Sequence, residues 1–390
     1  MEEMDVVGVL HCVKNIMNRK LFVLMYFFIF VSCNRHSIFV LNDYTVYKVE
    51  KYDGVFYWDD FVDKFEIIPL ETNANSIIGE LQKGIVTGDD IYIFDFMYQS
   101  ILNFDIEGNF KREISKKGRG PDEYIEARDF HIIGDNIYVL DYQKIHRYCK
   151  TTGDKEDTWI FETQGIFNPV NMFIFDKNNY FLWDSKPYTS ASGQKEPYMR
   201  KMQNGSVIEK FFFNEIPQAD ETTRRFQMID EYSCYIRPID DENIVYKLRK
   251  DTLIASFKID FGRMAMTIPE IKELLNNNQR DVYLRYNKFK NISTVLEVNN
   301  YIYFSCIGPK GVKFEGIISK HTGNVTFGVA SANPIFFFSD GTFLYGYYDQ
   351  FSIDSLKEYN IEQHCFYQVW SGENQYNIED NLVLVKVLLK

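Results

Sequence analysis

The octapeptide Gly88-Asp89-Asp90-Ile91-Tyr92-Ile93-Phe94-Asp95 returns almost letter for letter as Gly134-Asp135-Asn136-Ile137-Tyr138-Val139-Leu140-Asp141. Looser copies stand at Asp176–Asp184, Asp240–Leu248, Val298–Ser305 and Ser339–Tyr347. Each is a polar turn followed by a short alternating run of Ile, Val, Tyr and Phe, the pattern of a half-buried strand entered from a tight turn. A unit of this kind cannot bury its apolar face alone, and a spacing of roughly 40 to 65 residues lies near that of propeller blades. Six copies predict six blades; the last could be shared with a closing blade, which leaves five or seven open.

The two ends support closure. Phe65-Glu66-Ile67-Ile68-Pro69-Leu70 and Asn381–Leu389 both read as strands, and terminal strands that complete one blade together remove two open sheet edges. The expected fold class is therefore all-β: a six-bladed β-propeller over residues 61–390, with N- and C-terminal strands closing one blade and one short helical insertion. The helix is expected after Thr267, with Pro269 in its first turn, Ile271, Leu274 and Leu275 on one face, and Asn276-Asn277-Asn278 ending it. The polar stretch 185–235 is expected in extended loops of the third and fourth blades. An aromatic content of 17% suits sheet-on-sheet packing.

The N-terminus reads as a targeting segment. Met17-Asn18-Arg19-Lys20 is a basic head, and the apolar run Leu21–Val31 is too short for a stable membrane span. The run closes on Phe30-Val31-Ser32-Cys33, which resembles a bacterial lipobox. Residues 1–32 are expected to be a signal peptide, with Met17 an alternative start, and 33–60 a tether anchored to the membrane through lipidation of Cys33. A net charge of −12 without a basic block argues against nucleic acid as partner.

Three stretches carry a family resemblance: Lys117-Gly118-Arg119-Gly120-Pro121-Asp122-Glu123-Tyr124, Ile259-Asp260-Phe261-Gly262 leading to Ile268-Pro269, and Leu344-Tyr345-Gly346-Tyr347-Tyr348-Asp349. In these the chain resembles the six-bladed β-propeller lipoproteins of Bacteroidetes, relatives of the NHL-repeat propellers. The family's loop reads Gly-Pro-Gly-Glu-Tyr, and here Asp122 stands for the second Gly. Surface-exported lipoproteins of such bacteria often carry an acidic cluster after the lipidated Cys. Asn34-Arg35-His36-Ser37 is not one, so an outer-membrane anchor facing the periplasm is expected. Asp251-Thr252-Leu253 and Asp354-Ser355-Leu356 resemble the short O-glycosylation signal of these exported proteins. The resemblance implies no general reaction.

Chemistry is sparse. The loop residues Arg119, Asp122, Glu123, Tyr124 and Arg128 combine charge with an aromatic on a segment shaped by Gly118, Gly120 and Pro121. They are the ligand-contact candidates, against a structural loop that locks two blades. Asp95, Asp141 and Asp184 end successive repeat strands; such a ring could hold calcium, but Asp at a strand end more often caps a turn. The scattered Cys149, Cys234, Cys306 and Cys365 lack zinc spacing, and free thiols or one or two disulfides are both compatible with them. His36, His131, His146, His321 and His364 form no His-x-x-x-His or His-Glu-x-x-His pair. No catalytic residue, metal or cofactor is assigned. A binding or interaction role is expected, with a small molecule, glycan or protein as ligand. The alternatives are a lactonase-like metal-dependent hydrolase or lyase, and an accessory or sensor subunit of an outer-membrane transport system.

Overall fold

The computed structural model describes residues 44–50, 52, 54–114, 117–121, 123–162, 167–184, 196–213, 224–238, 243–250, 252–276, 286–290, 292–330, 334–348 and 382–390. Cys33, Asp122, Cys365 and Asp354-Ser355-Leu356 lie outside them. The strands form six antiparallel sheets. Blade one holds β3 (Leu81–Thr87), β4 (Asp90–Asp95), β5 (Ser100–Asp105) and β6 (Phe110–Glu113). Blade two holds β7 (Ala127–Ile133), β8 (Asn136–Asp141), β9 (Lys144–Cys149) and β10 (Lys155–Ile160). Blade three holds β11 (Pro169–Asp176), β12 (Asn179–Asp184), β13 (Met199–Gln203) and β14 (Ser206–Phe211). Blade four holds β15 (Phe226–Asp230), β16 (Ser233–Ile236), β17 (Ile244–Arg249) and β18 (Thr252–Asp260), with β1 (Thr45–Lys48) added in parallel outside β18. Blade five holds β19 (Ile292–Val298), β20 (Tyr301–Ile307), β21 (Lys313–Ser319) and β22 (Val325–Val329). Blade six combines β23 (Ile335–Ser339), β24 (Phe343–Tyr348) and β25 (Val383–Leu389) with the N-terminal β2 (Val62–Pro69).

The first strand of each blade lies innermost; inner strands touch from β7 through β11, β15, β19 and β23 to β3, and β3 meets β7 through Lys83 and Asp129. β2 pairs antiparallel with β25 from Val62 opposite Leu389 to Pro69 opposite Val383, the closure expected from the two ends. A propeller leaves one open edge on each inner strand, and buried backbone N–H groups need acceptors. Side chains of the neighbouring blade supply them. Asp129 and His131 on β7 accept from Met172 N and Ile174 N on β11. Gln227 on β15 accepts from Val295 N on β19. Conversely, Ser339 Oγ on β23 donates to a backbone acceptor, the carbonyl of Glu297.

Five of the six sequence repeats fall on the second strand of a blade. The fourth copy, Asp240–Leu248, lies instead on β17, the third strand of blade four; the equivalent second strand is the short β16, entered from a turn at Asp230-Glu231-Tyr232. The stretch 185–235, expected as loops, includes β13, β14, β15 and β16. Hydropathy hides β13 because its buried positions include Arg200 and Lys201; Arg200 is neutralised by Asp184 and Glu196 at 3.4 and 3.0 Å and lies over the Phe167 ring.

The described residues of the stretch 44–60, expected as tether, are built into the domain. β1 extends blade four, Val55 bridges Val329, and Phe56 and Trp58 are buried between blades five and six. Trp58 Nε1 donates to Glu315, which also accepts from Tyr303 and Lys313. The helix, α1 (Ile268–Asn276), starts as expected: Thr267 N and Oγ1 both donate to Glu270, the carboxylate limb of a capping box. Ile271 and Leu274 are buried with Met266 in a small cluster of their own.

Antiparallel order makes the two faces of the ring unlike. On one face every within-blade connection is tight, the longest being 150–154 and 320–324. The strand ends that are far apart in sequence, Glu113 and Ala127, Asp184 and Met199, Phe211 and Phe226, Asp260 and Ile292, and Tyr348 and Val383, open on the other.

Candidate functional site

The repeat aspartates sit on the loop-bearing face, at the ends of β4, β8 and β12. Asp95 accepts from the backbone N–H of Gly79, Glu80, Met97 and Tyr98. Asp141 accepts from Ile125 and Glu126 and lies 3.3 Å from His146 Nε2. Asp184 accepts from Asn168 N and Arg200. Each carboxylate ties the chain entering its blade to the end of the second strand, sixteen residues onward. Burial opposes ionisation of Asp141, but the His146 contact and the two N–H donors outweigh it and hold the carboxyl below its ordinary range. These groups serve as turn caps, the second of the two roles read from the repeats.

The loop 117–128 divides its residues between roles. Tyr124 is fully buried and donates to the carbonyl of Gln99, joining the loop to the β4–β5 turn. Glu123 folds back to accept from Gly120 N, and its carboxylate fills the space beside Gly118 where a Cβ would stand. A Cβ at Gly118 would displace that carboxylate. Arg128 pairs with Glu126 at 3.2 Å, donates to Asn168 and Pro169 of the next blade, and stacks 4.1 Å over Tyr142. Arg119 alone of the described candidates is exposed. Tyr124 and Arg128 tie this loop to neighbouring elements and Glu123 braces it from within, so of the described candidates Arg119 is the exposed one.

Sequence reading missed the channel interior. Lys83 Nζ donates to Asp129 at 2.8 Å and to the Phe130 carbonyl at 2.7 Å, linking blades one and two. Arg224 reaches from blade four to the carbonyls of Gln82 and Phe337, on blades one and six. Burial pulls its guanidinium down to about 10. Arg237 donates to the carbonyls of Ile292 and Arg224, and Arg225 to that of Arg237. These cations staple the loop-face end of the channel. At the other end a cavity of about 230 Å³ is lined by Ile85, Ile132, Met228, Phe338, Asp230 and Asp340.

His131 is buried against Phe173, and its Nδ1 accepts from Ile174 N. That bond requires the neutral ring, and desolvation pulls its pKa well below the ordinary value. Cys149, Cys234 and Cys306 are free thiols; burial pushes Cys234 and Cys306 up. Among the described residues no three His, Cys, Asp or Glu side chains converge on a point that could hold a metal ion.

Six closed blades with strand-end caps define a six-bladed β-propeller. Within that class the chain belongs to the family described as "Domain of unknown function (DUF4934)", which it matches over residues 36–387. It is similar in fold to a Bacteroides fragilis protein named as an exported protein, at 14% identity and a TM-score of 0.70, covering 89% of this chain and 100% of that one. A member of the DUF4221 family from Bacteroides vulgatus aligns at 12% identity and a TM-score of 0.49, over 84% and 97% of the two chains. No curated protein matches the chain.

Proposed function

We propose that this protein is a cell-envelope lipoprotein, anchored through Cys33 on the outer membrane facing the periplasm, whose propeller binds a partner through its loop-bearing face. The observation that carries the binding role is the asymmetry of the ring: tight turns on one face, and the long connections with α1 on the other. Loops on a rigid scaffold are where recognition concentrates. The basic head, apolar run and Ser32-Cys33 junction support export and lipidation. So does the fold likeness to a Bacteroides fragilis protein named as exported. A lactonase-like reading is weakened by Asp95, Asp141 and Asp184, whose carboxylates point at backbone N–H groups.

The test is made on the full chain in its native envelope. Wild type should incorporate radiolabelled palmitate and fractionate with membranes, and Cys33→Ala should lose the label and become soluble. After detergent extraction, a defined partner should co-purify with wild type and be lost on loop-face charge reversal. Unlabelled wild type would remove the anchor, and a partner insensitive to every loop-face change would remove the binding face.

A further inference from the structure

We propose that the loop-bearing edge of blades one and two is a docking surface for a protein that brings apolar anchor side chains bordered by carboxylates; this rests on the binding role above and names its surface. Six large apolar side chains stand in solvent there. Ile77, Phe96, Met97, Tyr98, Ile125 and Tyr142 are 50, 39, 61, 55, 52 and 47% exposed. They come from four neighbouring segments: the lead-in to β3, the β4–β5 turn, the lead-in to β7 and the β8–β9 turn. Single exposed apolar residues are ordinary on a protein surface, but a cluster marks an interaction site.

The cluster is held rigidly, by the same aspartates that mark the sequence repeat. Asp95 fixes Gly79 and Glu80 on one side and Met97 and Tyr98 on the other. Asp141 fixes Ile125 and Glu126, and Tyr142 follows it directly. The Tyr124 hydroxyl bonds Gln99, which ties the two halves. Arg128 lies over the Tyr142 ring. Aromatic side chains on a pinned backbone lose little freedom when covered, which favours association. Tyr, Phe, Met and Arg are also the residues enriched in the cores of protein interfaces.

Charge and side-chain chemistry select the partner. Lys117, Arg119 and Lys144 are exposed around the patch, alongside the exposed Glu80 and a Glu126 already paired with Arg128; no ion pair among the described residues uses the three cations, in a chain whose net charge is −12. A cationic border on an acidic protein is complementary to carboxylates. Met97 lies close against Gly79. Ile77, Met97 and Ile125 offer no hydrogen bonds to sugar hydroxyls. A protein surface fits best.

The experiment places photoreactive p-benzoylphenylalanine at Tyr98 or Ile125 of the full-length protein in native envelopes. Controls carry it at Val312, on blade five of the same face, and at Tyr232, on the opposite face. The expected result is an adduct to a different protein at Tyr98 and Ile125, with yields about tenfold those at both controls. The mapped peptide should place Asp or Glu beside an apolar residue. Arg119→Glu with Lys144→Glu should lower the yield about tenfold without changing the thermal melt. Adducts to lipid, to glycan or to a second copy of this chain would each overturn the proposal, as would a protein adduct insensitive to the charge reversal. Adducts at Val312 but not at Tyr98 would remove this surface and leave the binding face standing; none at any loop-face position would remove both.

Discussion

Asp95 and Asp141 show why a residue that looks catalytic in a repeat is often architectural. Asp95 is fully buried, and four backbone N–H groups converge on its carboxylate. Charge-assisted bonds of this kind are worth more than neutral ones, and removing the acceptor strands its donors. Asp95→Ala should therefore lower stability by about 2–3 kcal/mol, and Asp95→Asn, which keeps one acceptor oxygen, by less. Urea unfolding checks both; equal midpoints for wild type and Ala would contradict the capping role. His131 gives a pH signature. Its folded form stays neutral while the unfolded chain takes up a proton near pH 6.5, so stability is full above about 6.5 and declines as pH falls below it. His131→Phe should be less stable at neutral pH, because Ile174 N loses its acceptor. It should also show a shallower decline from pH 6.5 downward, and parallel curves for the two proteins would contradict this. Tyr124 and Arg128 were legible in the sequence as residues of a shaped loop. Their roles were not, because bonds to Gln99, Asn168 and Pro169 depend on how blades pack.

At the level of elements, the legible parts are those fixed by local chemistry. The repeat turns and α1 follow from Gly, Asx and the Thr267–Glu270 box, and β2 with β25 from hydrophobic alternation. β13 and β16 were hidden, one by buried cations and the other by its brevity. The segment 44–60 looked mixed in composition because its anchors are few and far apart: β1, Val55, Phe56 and Trp58. Trp58 is the strongest of them, since it packs against Phe336 and Tyr303 and satisfies one oxygen of the buried Glu315. Trp58→Ala should cost about 3–5 kcal/mol, the range of large aromatic truncations in a core. Trp58→Phe keeps most of the packing and should recover part of it. A Trp58→Ala protein that melts with wild type would mean that the segment is a tether after all.

For the whole molecule, closure and asymmetry are separate consequences of one topology. Pairing β2 with β25 leaves blade six shared between the two ends, so the ring has no free terminal blade. Strand alternation then sends the long connections to one face and the tight turns to the other. The repeat made the ring readable; the platform on blades one and two was not, because exposure is a property of the packed surface. Its trace in the sequence was Phe96-Met97-Tyr98, three large apolar residues in a turn position directly after a repeat. Met97 makes the platform directly testable, since an exposed thioether oxidises to the sulfoxide and a covered one is protected. The measurement is the rate of Met97 oxidation by dilute peroxide in native envelopes and in purified full-length protein, read by mass spectrometry. Met228, half-buried at the cavity on the opposite face, serves as internal reference. Occupation of the loop-bearing face should slow Met97 several-fold in envelopes while Met228 keeps its rate. Equal Met97 rates in the two settings would contradict a partner on that face.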